Sequence, residues 1–168
     1  VMLLVFLLAP LVQTVFQINW QNFLALWQDD QLLRSIRVTF GAALLATLFG
    51  LAGGVPLAYL LARCSFRGRR LVQALVNLPI IIPHTAAGVS LLLVFGRNGW
   101  FGRFFALLGL TFTDSIVGIT VAMAFVSLPY LVNAARDSFA MTSQELELAA
   151  RVDGASAWQA FWWVTLPQ

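Results

Sequence analysis

The sequence predicts an all-α integral membrane protein, and three observations carry this prediction. Hydrophobic residues make up 60% of the chain and charged residues only 10%, whereas a soluble domain carries about 25% charge. The mean hydropathy is +0.85. Long uncharged runs alternate with short charged segments, and these runs have roughly the 20 residues that a helix needs to cross a bilayer. We therefore treat lipid as the solvent of most of the chain.

The first span is predicted over residues 1–18. Residues 1–28 contain no charged side chain, and about 18 apolar residues reach the lower end of the range for a membrane helix. A secretory signal peptide is the alternative interpretation. The run has no basic N-terminal region and no Ala-x-Ala cleavage site, so we favour an uncleaved helix.

The second span is predicted over residues 38–62, because Arg37 and Arg63 bound 25 uncharged residues. Small side chains recur at every fourth position of this span: Ala42, Ala46, Gly50, Gly54, Ala58 and Ala62. A ridge of this kind lets another helix backbone approach closely. Packing within the chain is the preferred interpretation, and a dimer interface is the alternative that the same pattern would serve.

An arginine-rich loop follows the second span. It places four positive charges within eight residues, at Arg63, Arg67, Arg69 and Arg70. Short basic loops between spans stay in the cytoplasm, so this loop predicts a cytoplasmic N-terminus and an external segment over residues 19–37. The complete arginine count agrees, with six inside (63, 67, 69, 70, 136, 151) and four outside (34, 37, 97, 103).

The third span is predicted over residues 71–95, and two prolines interrupt it. Pro79 and Pro83 lack N–H donors, so about two intrahelical hydrogen bonds are missing within one turn. Non-helical backbone at membrane depth is tolerated only against protein or a water-filled cavity. We therefore predict that residues 79–87, including His84 and Thr85, face such a cavity or its gate. A kink buried in packing is the alternative.

Two further elements precede the final segment. Residues 97–114 are external by alternation and contain too short an apolar run to span, so we predict a helix at the membrane interface. The fourth span is predicted over residues 115–135, which supply 21 uncharged positions. Arg136 then returns the chain to the cytoplasm, where we place a loop over residues 136–168.

This loop, residues 136–168, contains a long stretch of mixed charge. Thr142 and Glu145 have the spacing of a capping box, which predicts a short helix that begins near Ser143. Gly154 is suited to the left-handed turn that ends a helix. The uncharged, tryptophan-rich residues 155–167 are typical of chain that returns to the membrane interface.

Eight residues of the loop resemble the Glu-Ala-Ala…Gly…Leu-Pro motif of ABC-importer permeases: Glu147, Ala149, Ala150, Gly154, Phe161, Val164, Leu166 and Pro167. Their spacing is similar to that of the molybdate, tungstate and sulfate branch. Residues 57–70 resemble the first cytoplasmic loop of the family, and residues 77–88 resemble molybdate and tungstate permeases. The resemblance implies a multi-span helical permease with a cytoplasmic coupling helix. Because the chain stops where another span is due, we expect a partial permease domain over residues 1–168 with its C-terminal spans missing.

The resemblance also implies a function. It implies a non-catalytic subunit of an ATP-driven importer of molybdate or tungstate, with sulfate, thiosulfate or another ABC-importer substrate as the alternative. The implied partners are an ABC ATPase subunit, an extracytoplasmic substrate-binding protein, a second permease copy and membrane lipid, and no cofactor is implied. The implied ATPase-coupling residues are Glu147, Ala149, Ala150, Gly154, Leu166 and Pro167, with Glu147 meeting a polar or basic group of the ATPase. The residues themselves offer His84, with Thr85 nearby, as a candidate contact for the passing oxyanion; a histidine that hydrogen-bonds a neighbouring carbonyl is the favoured alternative.

Other classes fit the residues less well. An ion-coupled secondary transporter needs ionisable groups near the midplane, and the second to fourth spans contain none except His84. The chain has no lysine for a phosphate-binding loop. One His and one Cys on separate segments form neither a catalytic pair nor a metal site. The arginines lie between apolar runs and form no stripe for nucleic acid.

Overall fold

The computed structural model describes residues 2–16 and 29–167, and all regular structure in those two ranges is helical. The chain forms two compact units, Val1–Phe40 and Gly41–Gln168. Most of the predicted external segment 19–37, including Trp20 and Trp27, lies outside the described residues. Within the described ranges, two helical stretches are long and apolar enough to cross a membrane, or three if one bent pair counts as a single span.

Helix α1 covers Met2–Phe16, within the predicted first span. Its 15 residues are fewer than the usual minimum of about 17 for a membrane helix. Pro10 lies inside it, and the Thr14 hydroxyl donates to the Pro10 carbonyl at 2.8 Å. That this helix spans the membrane stays a prediction.

The second predicted span lies inside a longer helical stretch, Asp30–Arg63, of 34 residues. It comprises α2 (Asp30–Phe49), a π-helical turn (Gly50–Gly54) and α3 (Val55–Arg63). The helix begins eight residues before the predicted position 38, because the Asp29 carboxylate accepts from the Gln31 and Leu32 N–H groups at 2.8 and 3.3 Å. An N-terminal carboxylate of this kind caps unpaired donors.

The small-residue ridge of this stretch is buried against the rest of the chain. Five of its six members are buried: Ala42, Ala46, Gly50, Gly54 and Ala58. A Cβ atom on Gly54 would lie 2.8 Å from a terminal carbon of Leu131, so the helix that carries Leu131 packs directly on the ridge. Packing within the chain, the preferred interpretation, is therefore confirmed.

The third predicted span, residues 71–95, is interrupted, as its two prolines predict, and that it crosses the membrane as one span stays a prediction. It consists of α4 (Arg69–Ile81) and α5 (His84–Phe95), which meet at an angle of 114°. Pro83 forces the break because it has no N–H and restricts the residue before it; Ile82 is accordingly extended, with φ −76° and ψ 129°. Pro79 lies inside α4 without ending it.

Three amide side chains join α4 to the long helix α7 (Ile116–Met141). Gln73 Nε2 donates to Asn133 Oδ1 at 2.8 Å, and Asn133 Nδ2 donates to Asn77 Oδ1 at 2.7 Å. Uncharged hydrogen bonds of this kind hold helices together where water is scarce. They hold α4, the first helix of the bent pair, on α7.

The segment between α5 and α7 folds tightly. It contains α6 (Trp100–Ala106), seven residues within the predicted interfacial helix, and Phe95, Phe101 and Phe112 pack at centroid distances of 5.4 and 5.0 Å. Helix α7 begins where the Ser115 hydroxyl accepts from the Gly118 N–H at 3.1 Å. It runs six residues past the predicted end at 135, so Arg136 and Asp137 are helical and form an ion pair at 2.6 Å.

Candidate coupling site

The predicted cytoplasmic helix is α8, Gln144–Val152, and its start agrees with the prediction although its cap does not. The Ser143 hydroxyl accepts from the Glu145 N–H at 3.2 Å. The Thr142 hydroxyl instead donates back to the Ser138 carbonyl at 3.1 Å, because Thr142 closes α7. The capping box predicted for Thr142 and Glu145 is therefore wrong.

A capping box does form one helix later. The Gln159 N–H donates to the Ser156 hydroxyl at 3.2 Å, and the Ser156 N–H donates to the Gln159 side chain at 2.8 Å. This pair starts the short helix α9, Ala157–Ala160, which continues as a π-helical turn, Phe161–Thr165. The residues after Gly154 thereby reverse direction and pack against α8.

Gly154 ends α8 in the left-handed conformation, with φ +97°, so this prediction is confirmed. The Ala155 N–H donates to the Ala150 carbonyl at 2.9 Å, and the Gly154 N–H donates to Arg151 at 3.2 Å. These are the bonds of a glycine-terminated helix. No side chain lies within 4 Å of a Cβ built on Gly154, so the cost of substitution there is conformational.

We expect Gly154→Val to loosen the end of α8. A left-handed β-branched residue costs about 1–2 kcal/mol or more relative to glycine, whereas asparagine tolerates this conformation better. Hydrogen exchange over residues 150–155 should accelerate about tenfold in the valine variant and clearly less in Gly154→Asn. Equal exchange in the two variants would contradict the conformational explanation.

The Glu147 carboxylate faces the chain's own helices. It accepts a short hydrogen bond from the Tyr59 hydroxyl and a 3.3 Å bond from the Thr165 hydroxyl. Arg63 Nε lies 3.8 Å from its Oε2 atom. We call Tyr59, Arg63, Glu147 and Thr165 the Glu147 cluster. The cluster joins α3, α8 and the second π-helical turn, Phe161–Thr165.

The Glu147 cluster lies beside the apolar core. Tyr59 packs edge-on against Phe161 and Phe139, with centroid distances of 5.0 and 5.7 Å. Leu61, Val132 and Phe139 belong to the buried core between α3 and α7. Phe161, one of the motif residues, therefore anchors the π-helical turn to the membrane helices.

The predicted coupling residues separate into two sets. Glu147 faces inward with 15% of its side chain exposed, and Ala150 is half-buried. Ala149, Gly154, Leu166 and Pro167 are exposed. The sequence of α8 predicts an apolar face made of Leu146, Ala149, Ala150 and Val152, and it does not include Leu148. Leu148 and Val152 are 57% and 86% exposed, and their i, i+4 spacing, which puts them on one helix face, is the signal that would have found Leu148.

Arg63 also differs from the other arginines of its loop. Arg67, Arg69 and Arg70 are exposed, as expected of topology signals. The Arg63 side chain is only 8% exposed, and its Nη2 atom donates to the Thr142 carbonyl at 3.0 Å. Sequence pattern alone could not separate these two kinds of arginine.

The predicted path residues lie at the bend between α4 and α5. His84 and Thr85 open α5 and are exposed, as is Pro83, while Pro79 is half-buried. Pro79 lines an apolar cleft of about 380 Å³ together with residues of α3 and α7, including Leu57. Among the described residues that line this cleft, neither His84 nor Thr85 appears. The structure thus groups the prolines at the bend but places His84 apart from the cleft.

Comparisons with known proteins identify relatives of the chain. Residues 54–168 match the family described as "Binding-protein-dependent transport system inner membrane component". The molybdate/tungstate transport system permease protein WtpB of Thermococcus kodakarensis is 42% identical over 139 residues, which cover 83% of this chain and 51% of that protein. The sulfate transport system permease protein CysT of Escherichia coli is 34% identical over 161 residues, or 96% of this chain and 58% of that protein.

A solved structure has the same architecture. It is the crystal structure of a bacterial alginate ABC transporter in complex with a periplasmic protein bound to an alginate pentasaccharide. The TM-score is 0.73 at 26% identity, with 98% of this chain and 62% of that chain covered. The chain spans about half the length of the WtpB relative that it matches.

Proposed function

This chain belongs to the family of binding-protein-dependent transport system inner membrane components, and we propose that it is the permease subunit of an ATP-driven importer. It is the non-catalytic subunit of this assembly, and a separate ABC ATPase hydrolyses the nucleotide. The N-terminus and the loop with Arg67, Arg69 and Arg70 are cytoplasmic, and the chain crosses the membrane several times. A second permease copy completes the path, and a substrate-binding protein delivers the solute from outside.

The observation that carries this proposal is the exposed apolar strip of α8. Leu148 and Val152 are 57% and 86% exposed on a helix that also carries Glu145 and Arg151. Exposed apolar residues grouped on one face of a polar helix are typical of an interaction site, and we propose that the partner here is a protein. We propose that the strip, with Ala149, Ala150 and Gly154, docks on the ATPase, while Leu166 and Pro167 lead the chain back to the membrane.

The implied mechanism is mechanical. ATP binding draws the two ATPase subunits together, and each α8 moves with the subunit on which it docks. The paired permeases then exchange inward-open and outward-open states, as in other two-state transitions driven by a ligand. Only two residues, Thr142 and Ser143, separate α7 from α8, which makes α7 a direct route for this movement.

Molybdate or tungstate is the proposed substrate, with sulfate or thiosulfate as the second candidate. Relatives named as molybdate/tungstate permeases reach 42% identity with this chain, and relatives named as sulfate permeases reach 35%. We further propose that Pro79, Pro83, His84 and Thr85 face the path. The 114° bend in their segment supports this role, because backbone outside a helix needs protein or water beside it.

The proposal is tested with the full-length permease reconstituted in proteoliposomes with its ATPase and binding protein. Uptake of labelled tungstate should require ATP and all three components, and excess molybdate should compete more strongly than excess sulfate. Stronger competition by sulfate would select the second substrate. Accumulation driven by a proton or sodium gradient, without the ATPase, would instead establish a secondary transporter.

A further inference from the structure

The Glu147 cluster contains two charged side chains that are largely buried, and neither membrane topology nor docking on a partner explains their burial. Arg63 is 8% exposed and Glu147 is 15% exposed. The buried Arg63 Nε atom has no hydrogen-bond partner among the described residues and lies 3.8 Å from Glu147. Charged groups removed from water are costly unless they are paired and hydrogen-bonded. This arrangement therefore persists only while α3 and α8 stay together.

The contacts of the cluster connect separate elements in every case. Tyr59 and Arg63 belong to α3, Glu147 to α8, and Thr165 to the π-helical turn. The Arg63 bond to the Thr142 carbonyl adds the end of α7, at 3.0 Å. A shift of α8 away from α3 would break the Tyr59–Glu147 hydrogen bond and the Arg63–Glu147 ion pair together and leave the Arg63 cation without its carboxylate. Removing one partner of a buried pair is far more costly than breaking an exposed pair.

We propose that Tyr59, Arg63 and Glu147 fasten α8 to α3, so that α8 transmits its movement to the membrane helices as one rigid unit. Glu147 is then a positioning residue and does not itself contact the ATPase. Arg63 is a structural partner of Glu147 as well as part of the basic loop. This inference rests on the proposed function, since it assigns a role within the same coupling event.

The small-residue ridge extends the rigid unit into the membrane. Ala58 is fully buried one residue before Tyr59, and it packs in one core cluster with Val132 and Phe139 of α7. Close-packed cores transmit displacement because they deform little. Movement of α8 thus reaches α3 through the Glu147 cluster and α7 through this core, in addition to the short 142–143 connection.

Three variants of the full-length permease, assembled with its ATPase and binding protein, test the inference. Glu147→Ala removes the carboxylate, Tyr59→Phe removes only the hydroxyl oxygen, and Glu145→Ala is the matched control because it removes the same charge from the exposed face of α8. The measurements are affinity for the ATPase, and tungstate uptake per ATP hydrolysed.

We expect Glu147→Ala to retain ATPase affinity while uptake per ATP falls about tenfold, the effect of losing a hydrogen bond to a charged group. Tyr59→Phe should give a smaller fall in the same ratio and add nothing to Glu147→Ala, because both act on one contact. Glu145→Ala should leave the ratio unchanged. Loss of ATPase affinity in Glu147→Ala with an unchanged ratio would overturn the inference, since it would make Glu147 a docking residue.

A charge exchange addresses variants that fold poorly. Arg63→Glu and Glu147→Arg should each lower uptake, and the double exchange should recover part of it. If the double variant is as thermally stable as the native permease but recovers no uptake, the inference is also overturned. Hydrogen exchange over residues 144–152 in the permease alone gives a readout independent of transport: Tyr59→Phe should accelerate it. If native uptake is independent of ATP, the proposed function fails. The hydrogen-exchange result still tests whether the Glu147 cluster holds α8 on α3.

Discussion

Val152→Glu should lower the affinity of the full-length permease for its ATPase about a hundredfold or more. Val152 is 86% exposed on α8, beside Leu148 at 57%. If the strip docks, the new carboxylate would be buried in an apolar contact without a partner, which costs several kcal/mol. Each 1.4 kcal/mol corresponds to a factor of about ten in affinity. A pull-down titration of the ATPase on detergent-solubilised permease measures the change.

Val152→Leu is the control for this substitution. It keeps the surface apolar and adds only one methylene, so affinity should stay within about threefold of the native value, given roughly 0.8 kcal/mol per buried methylene. Thermal unfolding should be nearly unchanged in both variants, because the side chain makes little contact inside the chain. Equal ATPase affinity of the glutamate and leucine variants would show that the strip is not the docking surface.

The burial of the two glutamates of α8, Glu145 and Glu147, could not be predicted from the sequence. The beginning of the helix near Ser143 was predicted correctly, although from a Thr142 cap that does not form, and the left-handed Gly154 was predicted from its residue type. The motif did not distinguish the inward Glu147 from the exposed Glu145, since that depends on where Tyr59 and Thr165 lie, 88 and 18 residues away along the chain. The role of Arg63 was missed for the same reason.

For the membrane helices, the sequence predicts the positions of the helices but neither their ends nor the angle between α4 and α5. Uncharged runs located the cores of the helical stretches, and Pro83 correctly marked an interruption. Hydropathy could not determine the helix ends, because Asp29 caps α2 through side-chain hydrogen bonds and α7 continues through Arg136 to Met141. Hydropathy also does not predict the 114° angle between α4 and α5, because contacts such as that of Gln73 with Asn133, 60 residues away, are not visible in the local sequence.

Gly118→Ala should destabilise the connection that precedes α7 by about 3 kcal/mol or more. A Cβ atom on Gly118 would lie 1.7 Å from the Phe112 carbonyl oxygen. This oxygen is a backbone atom, so a change of side-chain rotamer cannot relieve the clash. Relief requires displacing Phe112 from the aromatic packing with Phe95 and Phe105, at centroid distances of 5.0 and 5.5 Å. Losing a buried aromatic contact of this size costs several kcal/mol.

Gly88→Ala supplies the matched control for that prediction. It adds the same methyl group to a helical glycine, in α5, where no atom beyond the adjacent residues and the helix's own backbone lies within 4 Å of the new carbon. Alanine is favoured over glycine within a helix by up to about 1 kcal/mol, so this variant should melt at or slightly above the native temperature. The Gly118 variant should melt several degrees lower in a detergent thermal-shift assay. Equal melting temperatures would mean that the backbones near residues 112 and 118 do not pack as closely as the 1.7 Å approach requires.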